Sequence, residues 1–288
     1  MFPYFVLVPV LLLLLVFIVI PIIGSFVISF LDYNPLRQDG GNMFVGFSNY
    51  LSLFSDDLFI KSFTNTLYYV FVMVGINLTM TLVIAHFLCI LTSNKWRSLF
   101  RVAFFLPCVA PLSAVSFVWT RSIFPTRGAL NMLLGLVNIP AVNWLGNAST
   151  LMPSIILLSL WADVGYNIIL FIAGIQGIPE DFFEAATIDG ASALRSFISV
   201  TLPLLGRTMA FVIAMTFISQ FQAFAQFSIV ASGGGPGRAG YVLSTYIYDA
   251  GFKNKDMGYA SAVSVALFFL ILTVTAVQQR LNRVDWGY

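Results

Sequence analysis

Six stretches of this chain are long and apolar enough to cross a lipid bilayer, and they leave little room for any other architecture. A spanning helix takes about 20 mainly apolar residues, because helical rise and bilayer thickness fix its length. Tyr4–Leu31, Leu67–Leu91, Leu99–Trp119, Pro153–Ile175, Leu205–Ala231 and Gly258–Val277 reach that length. Composition rules out burying them in a soluble core. Of 288 residues, 59% are hydrophobic and 9% charged, whereas a soluble domain carries roughly 25% charged residues. The polar side chains are too few to cover a wet exterior. The expected fold class is all-α: a polytopic membrane protein with six transmembrane helices in one domain over residues 1–288.

The apolar run at the start exceeds the roughly 7–15 residues of a secretion signal and has no basic beginning, so it reads as a retained helix. Pro107 and Pro111 predict a kinked third span, packed inside the bundle where the freed carbonyls find partners. Polar loops join the spans. Asp32–Asn65 contains Gly40-Gly41; Ser93–Ser98 is short and basic; Arg121–Met152 is long; Ser232–Met257 opens on SGGGPGRAG, which reads as a flexible turn. Lys95, Arg97, Arg101, Arg195, Arg207, Arg280 and Arg283 fall on one side of the membrane, and an equal number of basic residues on the other. The positive-inside rule leans towards the first side as cytoplasmic, because its charges sit in shorter loops. Cys89 and Cys108 lie in apolar stretches and read as small hydrophobes. No Lys/Arg cluster dense enough for nucleic acid is present.

One polar segment separates the fourth and fifth spans. GIPEDFFEAATIDG reads as a helix with Pro179 at its first position and Glu180 and Asp181 in its first turn, where the helix dipole favours acids. Gly190 breaks it, Ser192 caps a second short helix, and Pro203 closes the unit. An acidic helix with a small face at Ala185 and Ala186 suits a protein partner better than anionic headgroups.

Within this segment, EAATIDGASALRSFISVTLP resembles the EAA loop of bacterial ATP-binding-cassette importer permeases. Glu184, Ala185, Ala186, Asp189, Gly190, Ala191, Phe197, Val200, Leu202 and Pro203 match that pattern, while Gly206-Arg207 departs slightly from it just beyond. VGFSNY, NTLYY, RSLFRVAFFLP, GGGPGRAGYVLSTYIYDAGF and MGYASAVS are similar to the carbohydrate branch, in the larger permease of a heterodimer, of the MalF and UgpA type. The resemblance implies an importer core at about 66–279 and a cytoplasmic coupling helix pair at about 179–203, docked on an ATPase through Glu184, Ala185, Ala186, Asp189, Gly190, Ala191, Phe197, Leu202 and Pro203. It further implies a second homologous permease subunit, two cytoplasmic ATPase subunits, an extracytoplasmic solute-binding protein and a sugar or oligosaccharide as cargo. Both termini would be cytoplasmic in a bacterial cell membrane. ATP and Mg would sit on the ATPase subunits, with no cofactor bound by this chain. Consistent with that division, no Gly-x-x-x-x-Gly-Lys-Ser/Thr phosphate cradle occurs here.

Polar groups inside spans mark candidate pathway residues, since lipid penalises them. Asp163, Tyr166 and Asn167 share one helical face. Ser219, Gln222 and Gln226 form a second stripe, with Gln220 pointing elsewhere. Tyr259 and Ser261 are candidates in the sixth span, where Gly258 and Ala262 permit close approach. Asn77 and His86 read as structural hydrogen bonders, and a lone histidine makes no metal site. A stand-alone ion-coupled carrier using Asp163 is the alternative function. A membrane enzyme has no nucleophile–base pair or metal cluster to support it.

Overall fold

A computed structural model describes residues 2–37 and 43–281; Gly40-Gly41 and Arg283 lie outside these described residues. The chain begins as a single apolar rod, α1 (Phe2–Leu14) and α2 (Ile20–Ile28) joined through a π-turn at Leu15–Val19. That turn stands just before Pro21, which has no N–H to continue the regular ladder. The following loop is not wholly irregular. β1 (Leu31–Asp32) pairs antiparallel with β2 (Met43–Phe44), and α3 (Ser48–Leu53) follows. The fold is mainly helical, as expected, with one ribbon of two residues per strand.

Helix α4 (Asp57–Ile90) starts well before the expected Leu67. Asp56 explains the early start: its Oδ1 accepts from the backbone N–H of Leu58 at 2.8 Å and of Phe59 at 3.3 Å, satisfying orphan donors of the first turn. The expected third span, Leu99–Trp119, is not one straight helix. It is α5 (Asn94–Val109) and α6 (Leu112–Val118, continued by a π-turn to Ile123), bent by 93°. Pro107 is accommodated inside α5, whereas Pro111 forms the break. Ala110 before it adopts φ −75°, ψ 137°, the extended backbone that a following proline enforces.

A short helix α7 (Ala129–Leu136) precedes α8 (Ala148–Gln176). Next come α9 (Asp181–Ile188), α10 (Ala193–Ser196) and, through a π-turn at Phe197–Thr201, α11 (Leu202–Leu204). The expected fifth span is interrupted as well: α12 (Gly206–Phe221) ends at Gln222, and α13 (Ala225–Val230) resumes after Phe224. Then α14 (Leu243–Tyr248) leads through Asp249–Lys253 into α15 (Met257–Leu281). Among the described residues, five helices are long and apolar enough to cross a membrane, or six if the bent α5–α6 pair is one span.

Two compact units are present: Met1–Thr66 with Tyr241–Leu270, and Leu67–Gly240 with Ile271–Tyr288. In the first, the backbone N–H groups of Met257 and Gly258 donate to the Tyr33 carbonyl at 3.0 and 3.2 Å. A Cβ on Gly258 would collide with the Leu31 carbonyl oxygen, so the close approach expected of Gly258 is to a strand. Asp56 Oδ2 accepts from the hydroxyls of Tyr246 and Tyr259, the latter at 2.7 Å. Burial pushes the Asp56 carboxyl up, but the two tyrosines and the Leu58 and Phe59 amides outweigh it and hold the group below its ordinary value.

In the second unit, α8 is the hub. Val164, Ile168, Phe171 and Ile172 pack with Ala85 and Leu88 of α4 and with Val212 of α12. Asn131 of α7 ties down the next loop: it donates to the Val142 carbonyl and accepts from the Val142 amide, both at 2.9 Å, and accepts from Trp144 Nε1 at 3.1 Å. The SGGGPGRAG segment, expected to be flexible, is a close-packed turn seated on Leu151 and Ala231. At Gly165, α5 comes so near α8 that any Cβ would overlap the Phe104 carbonyl and the Phe105 backbone.

Two outcomes follow. Gly165→Val should force α5 off α8 and destabilise the protein by about 1–3 kcal/mol, read as a fall in melting temperature in detergent; an unchanged melting point would contradict the close packing. Because the Asp56 pKa is lowered on folding, its stabilisation is complete above the unfolded carboxyl value and disappears as pH falls through the folded one. Wild-type melting temperature should therefore drop in acid more steeply than that of Asp56→Asn, measured from pH 6 downwards.

Candidate functional site

Three side chains spaced at i, i+3 and i+4 on α8, Asp163, Tyr166 and Asn167, face a cavity of about 340 Å³. From α12 the same cavity receives Thr216, Ser219 and Gln220. The cavity thus brings together the whole α8 triad but only one member of the expected second stripe. Gln222 does not reach it, because α12 stops at Phe221 and the backbone turns there (φ −92°, ψ 6° at Gln222). Gln226 follows on α13 and is buried elsewhere. The helical periodicity that aligned Ser219, Gln222 and Gln226 does not survive this break.

Gln220 is the residue that sequence reasoning misplaced. Its Nε2 donates to Asp163 Oδ2 at 2.9 Å. Its Oε1 accepts from the Tyr69 hydroxyl at 2.7 Å, and Gln226 Nε2 donates to that same hydroxyl at 3.2 Å. Tyr69 is fully buried and stands 3.0 Å from Ser159 Oγ. The linked amides and hydroxyls carry α4, α8, α12 and α13 into one network, as buried polar groups in lipid require. A signal was available in the three glutamines of QFQAFAQ, too polar for a lipid-facing helix. Tyr69 was hidden in an aromatic-rich run.

Asn167 has a partly structural task. Its Nδ2 donates to Asn77 Oδ1 at 2.6 Å and to Thr216 Oγ1 at 3.0 Å. Asn77 is thus a hydrogen bonder, as expected, whereas His86 instead lays its ring on Phe197, centroids 4.3 Å apart. Tyr259 and Ser261 belong to the first unit, where Tyr259 is bonded to Asp56. The cavity lining comes wholly from the second.

The polar segment after α8 forms two short helices around a sharp turn. Helix α9 starts at Asp181 with Glu180 as its N-cap, so Pro179 precedes the cap instead of opening the helix. Glu184, Ala185 and Ala186 lie on α9, and Asp189 ends it. Gly190 takes φ +73°, a left-handed conformation that closes the helix with Ala191 N–H donating to the Ala186 carbonyl at 2.9 Å. Ser192 Oγ caps α10 by accepting from Arg195 N–H at 3.3 Å. Phe197 leans on His86, and Leu202 and Pro203 form the last turn. Ile188 and Leu194 are 86% and 69% exposed.

Comparison with known proteins gives a consistent picture. Residues 43–284 match the family model described as "Binding-protein-dependent transport system inner membrane component". The chain is 34% identical to the probable ABC transporter permease protein YurN of Bacillus subtilis over 96% of its length and 94% of that protein's. It is 34% identical to the arabinooligosaccharides transport system permease protein AraP of the same organism, over 97% of this chain and 88% of that one. Its fold is similar to a chain of a bacterial alginate ABC transporter crystallised with an alginate pentasaccharide-bound periplasmic protein: TM-score 0.85, 22% identity, covering 98% of this chain and 94% of that chain.

Tyr69→Phe tests the network. It removes the hydroxyl that Gln220 and Gln226 share and leaves buried amide groups unpaired, a cost of about 1–3 kcal/mol. The expected reading is a lower melting temperature, with Ser159→Ala causing a smaller loss.

Proposed function

The chain belongs to the binding-protein-dependent transport system inner membrane component family, and from that premise we propose that it is a permease subunit of an ATP-driven importer of sugars or oligosaccharides. It acts as one transmembrane domain over 1–288, with its importer core at about 66–279, in a bacterial cell membrane, both termini cytoplasmic. A second homologous permease completes the pathway. Two ATPase subunits carry ATP and Mg, and an extracytoplasmic solute-binding protein delivers the cargo. Its role is transport rather than catalysis.

The observation that carries this reading is the α9–α10 elbow. It is hinged at Gly190, placed between two spans, and exposes Ile188 and Leu194 to a partner. Glu184, Ala185, Ala186, Asp189, Gly190, Ala191, Phe197, Leu202 and Pro203, at about 179–203, form the coupling pair that an ATPase grips. Closure of the ATPases pushes the elbow, and rigid helices turn that push into rocking of the bundle. Asp163, Tyr166, Asn167 and Ser219 line the solute path within this half, with Gln220 added; Gln222 and Gln226 do not line the cavity. The cargo class is supported by the near full-length likeness to a permease of an arabinooligosaccharide system. Sugar hydroxyls both donate and accept, which amides and hydroxyls around a carboxylate can answer. A lone carrier driven through Asp163 has no use for the exposed elbow.

In vesicles holding the complete importer, Gly190→Pro cannot adopt the left-handed turn and should abolish ATP-driven arabinooligosaccharide uptake and weaken ATPase co-purification at least tenfold. Glu184→Lys should reduce both while leaving the melting temperature unchanged. Wild-type levels of ATPase bound to both variants would refute the coupling role, as would uptake by the purified chain without any other polypeptide.

A further inference from the structure

We infer that the α8–α12 cavity is a charge filter set by Asp163: it admits uncharged or cationic polyhydroxyl solutes and turns away those bearing a carboxylate, sulfonate or phosphate. The inference rests on the cavity being part of the solute path.

Its basis is the direction of the hydrogen bonds around Asp163. A carboxylate only accepts, so the Gln220 amide turns its nitrogen to Asp163 and is left with Oε1 facing the Tyr69 hydroxyl, which is 2.7 Å away and nearer to it than to Ser159 Oγ at 3.0 Å. Gln220 Nε2 donates to Asp163 Oδ2 at 2.9 Å. The relay ends on a carboxyl acceptor beside the cavity. The rest of the polar lining, Tyr166, Asn167, Thr216, Ser219 and Gln220, is uncharged, and no Lys, Arg or His among the described residues lines it. A sugar hydroxyl brings its own proton to Asp163 and can accept from its neighbours. An anionic solute brings acceptors to an acceptor, loses its hydration and meets no cation in return, which is the costly arrangement for a buried charge.

The cavity carries its own reporter. Cys108 lines it, and Cys89 is the only other cysteine in the chain. The complete importer, purified in detergent so that both faces are open, is made with Cys89→Ser. It is treated with the ethyltrimethylammonium or the ethylsulfonate methanethiosulfonate, reagents of similar size and opposite charge. In each case the Cys108 thiolate attacks the reagent's thiol sulfur, a mixed disulfide forms and methanesulfinate leaves. Mass spectrometry of this chain gives the rates, each divided by that reagent's rate with free 2-mercaptoethanol.

The expected normalised preference for the cation is about fivefold or more, the size of one nearby unit charge, and it should fall to about 1 in Asp163→Asn. A ratio near 1 with Asp163 present overturns the filter. So does a preference that survives Asp163→Asn, or a Cys108 that neither reagent reaches. None of these readings depends on transport. ATP-driven uptake of arabinooligosaccharide by the same Cys89→Ser importer, assayed in vesicles, separates a failed filter from a failed importer assignment.

Discussion

Hydrocarbon offers a peptide backbone nothing to bond with, and the second unit is organised around that constraint. Two of its membrane-length segments are broken, at Ala110-Pro111 and at Gln222–Phe224. Each break frees backbone groups that lipid cannot satisfy. Both are sheltered by protein: α5, α6, α12 and α13 all pack on α8, and α6 packs on α13. Helix α8 is the most buried of the spanning helices. Without the side-chain-free patch at Gly165, α5 could not come close enough to complete the shelter.

The same breaks create the cavity. An uninterrupted α12 would carry its polar stripe onward through Gln222. By ending at Phe221, it leaves Gln220 in its final turn, reaching Asp163 on one side and Tyr69 on the other. α13 then returns Gln226 to the back of Tyr69. A backbone irregularity that would be a defect in a lipid-facing helix here aims two amides from one short stretch of chain at a single hydroxyl.

Much of this architecture was legible in the sequence. Apolar length located the spans because length is what a bilayer selects. Gly190 and Ser192 fixed the elbow because left-handed turns and caps have local chemical requirements. The break at Pro111 was signalled by the proline itself. The one after Phe221 was not: no proline or glycine stands at Gln222–Phe224, and what distinguishes the two sides of the break is that α13 packs mainly on α6 and α12 on α8. The same holds for Tyr259, whose partner Asp56 is far away in the chain. Hydropathy also concealed the early start of α4, since Lys61, Asn65 and Thr66 look like a loop until Asp56 is seen to cap them. Residues whose role depends on distant neighbours escape any argument built from spacing.

The contact between His86 and Phe197 has a mechanical consequence. Their ring centroids lie 4.3 Å apart with planes tilted by 48°, a van der Waals and quadrupole contact with no hydrogen bond. The Ser192 cap and the Gly190 turn, by contrast, hold the elbow's own shape through oriented hydrogen bonds and a fixed dihedral. The elbow's shape is thus set from within, while its ring contact with α4 carries no oriented bond. Moving the elbow as a whole breaks no hydrogen bond at this contact, whereas reshaping it would break a cap and a fixed turn.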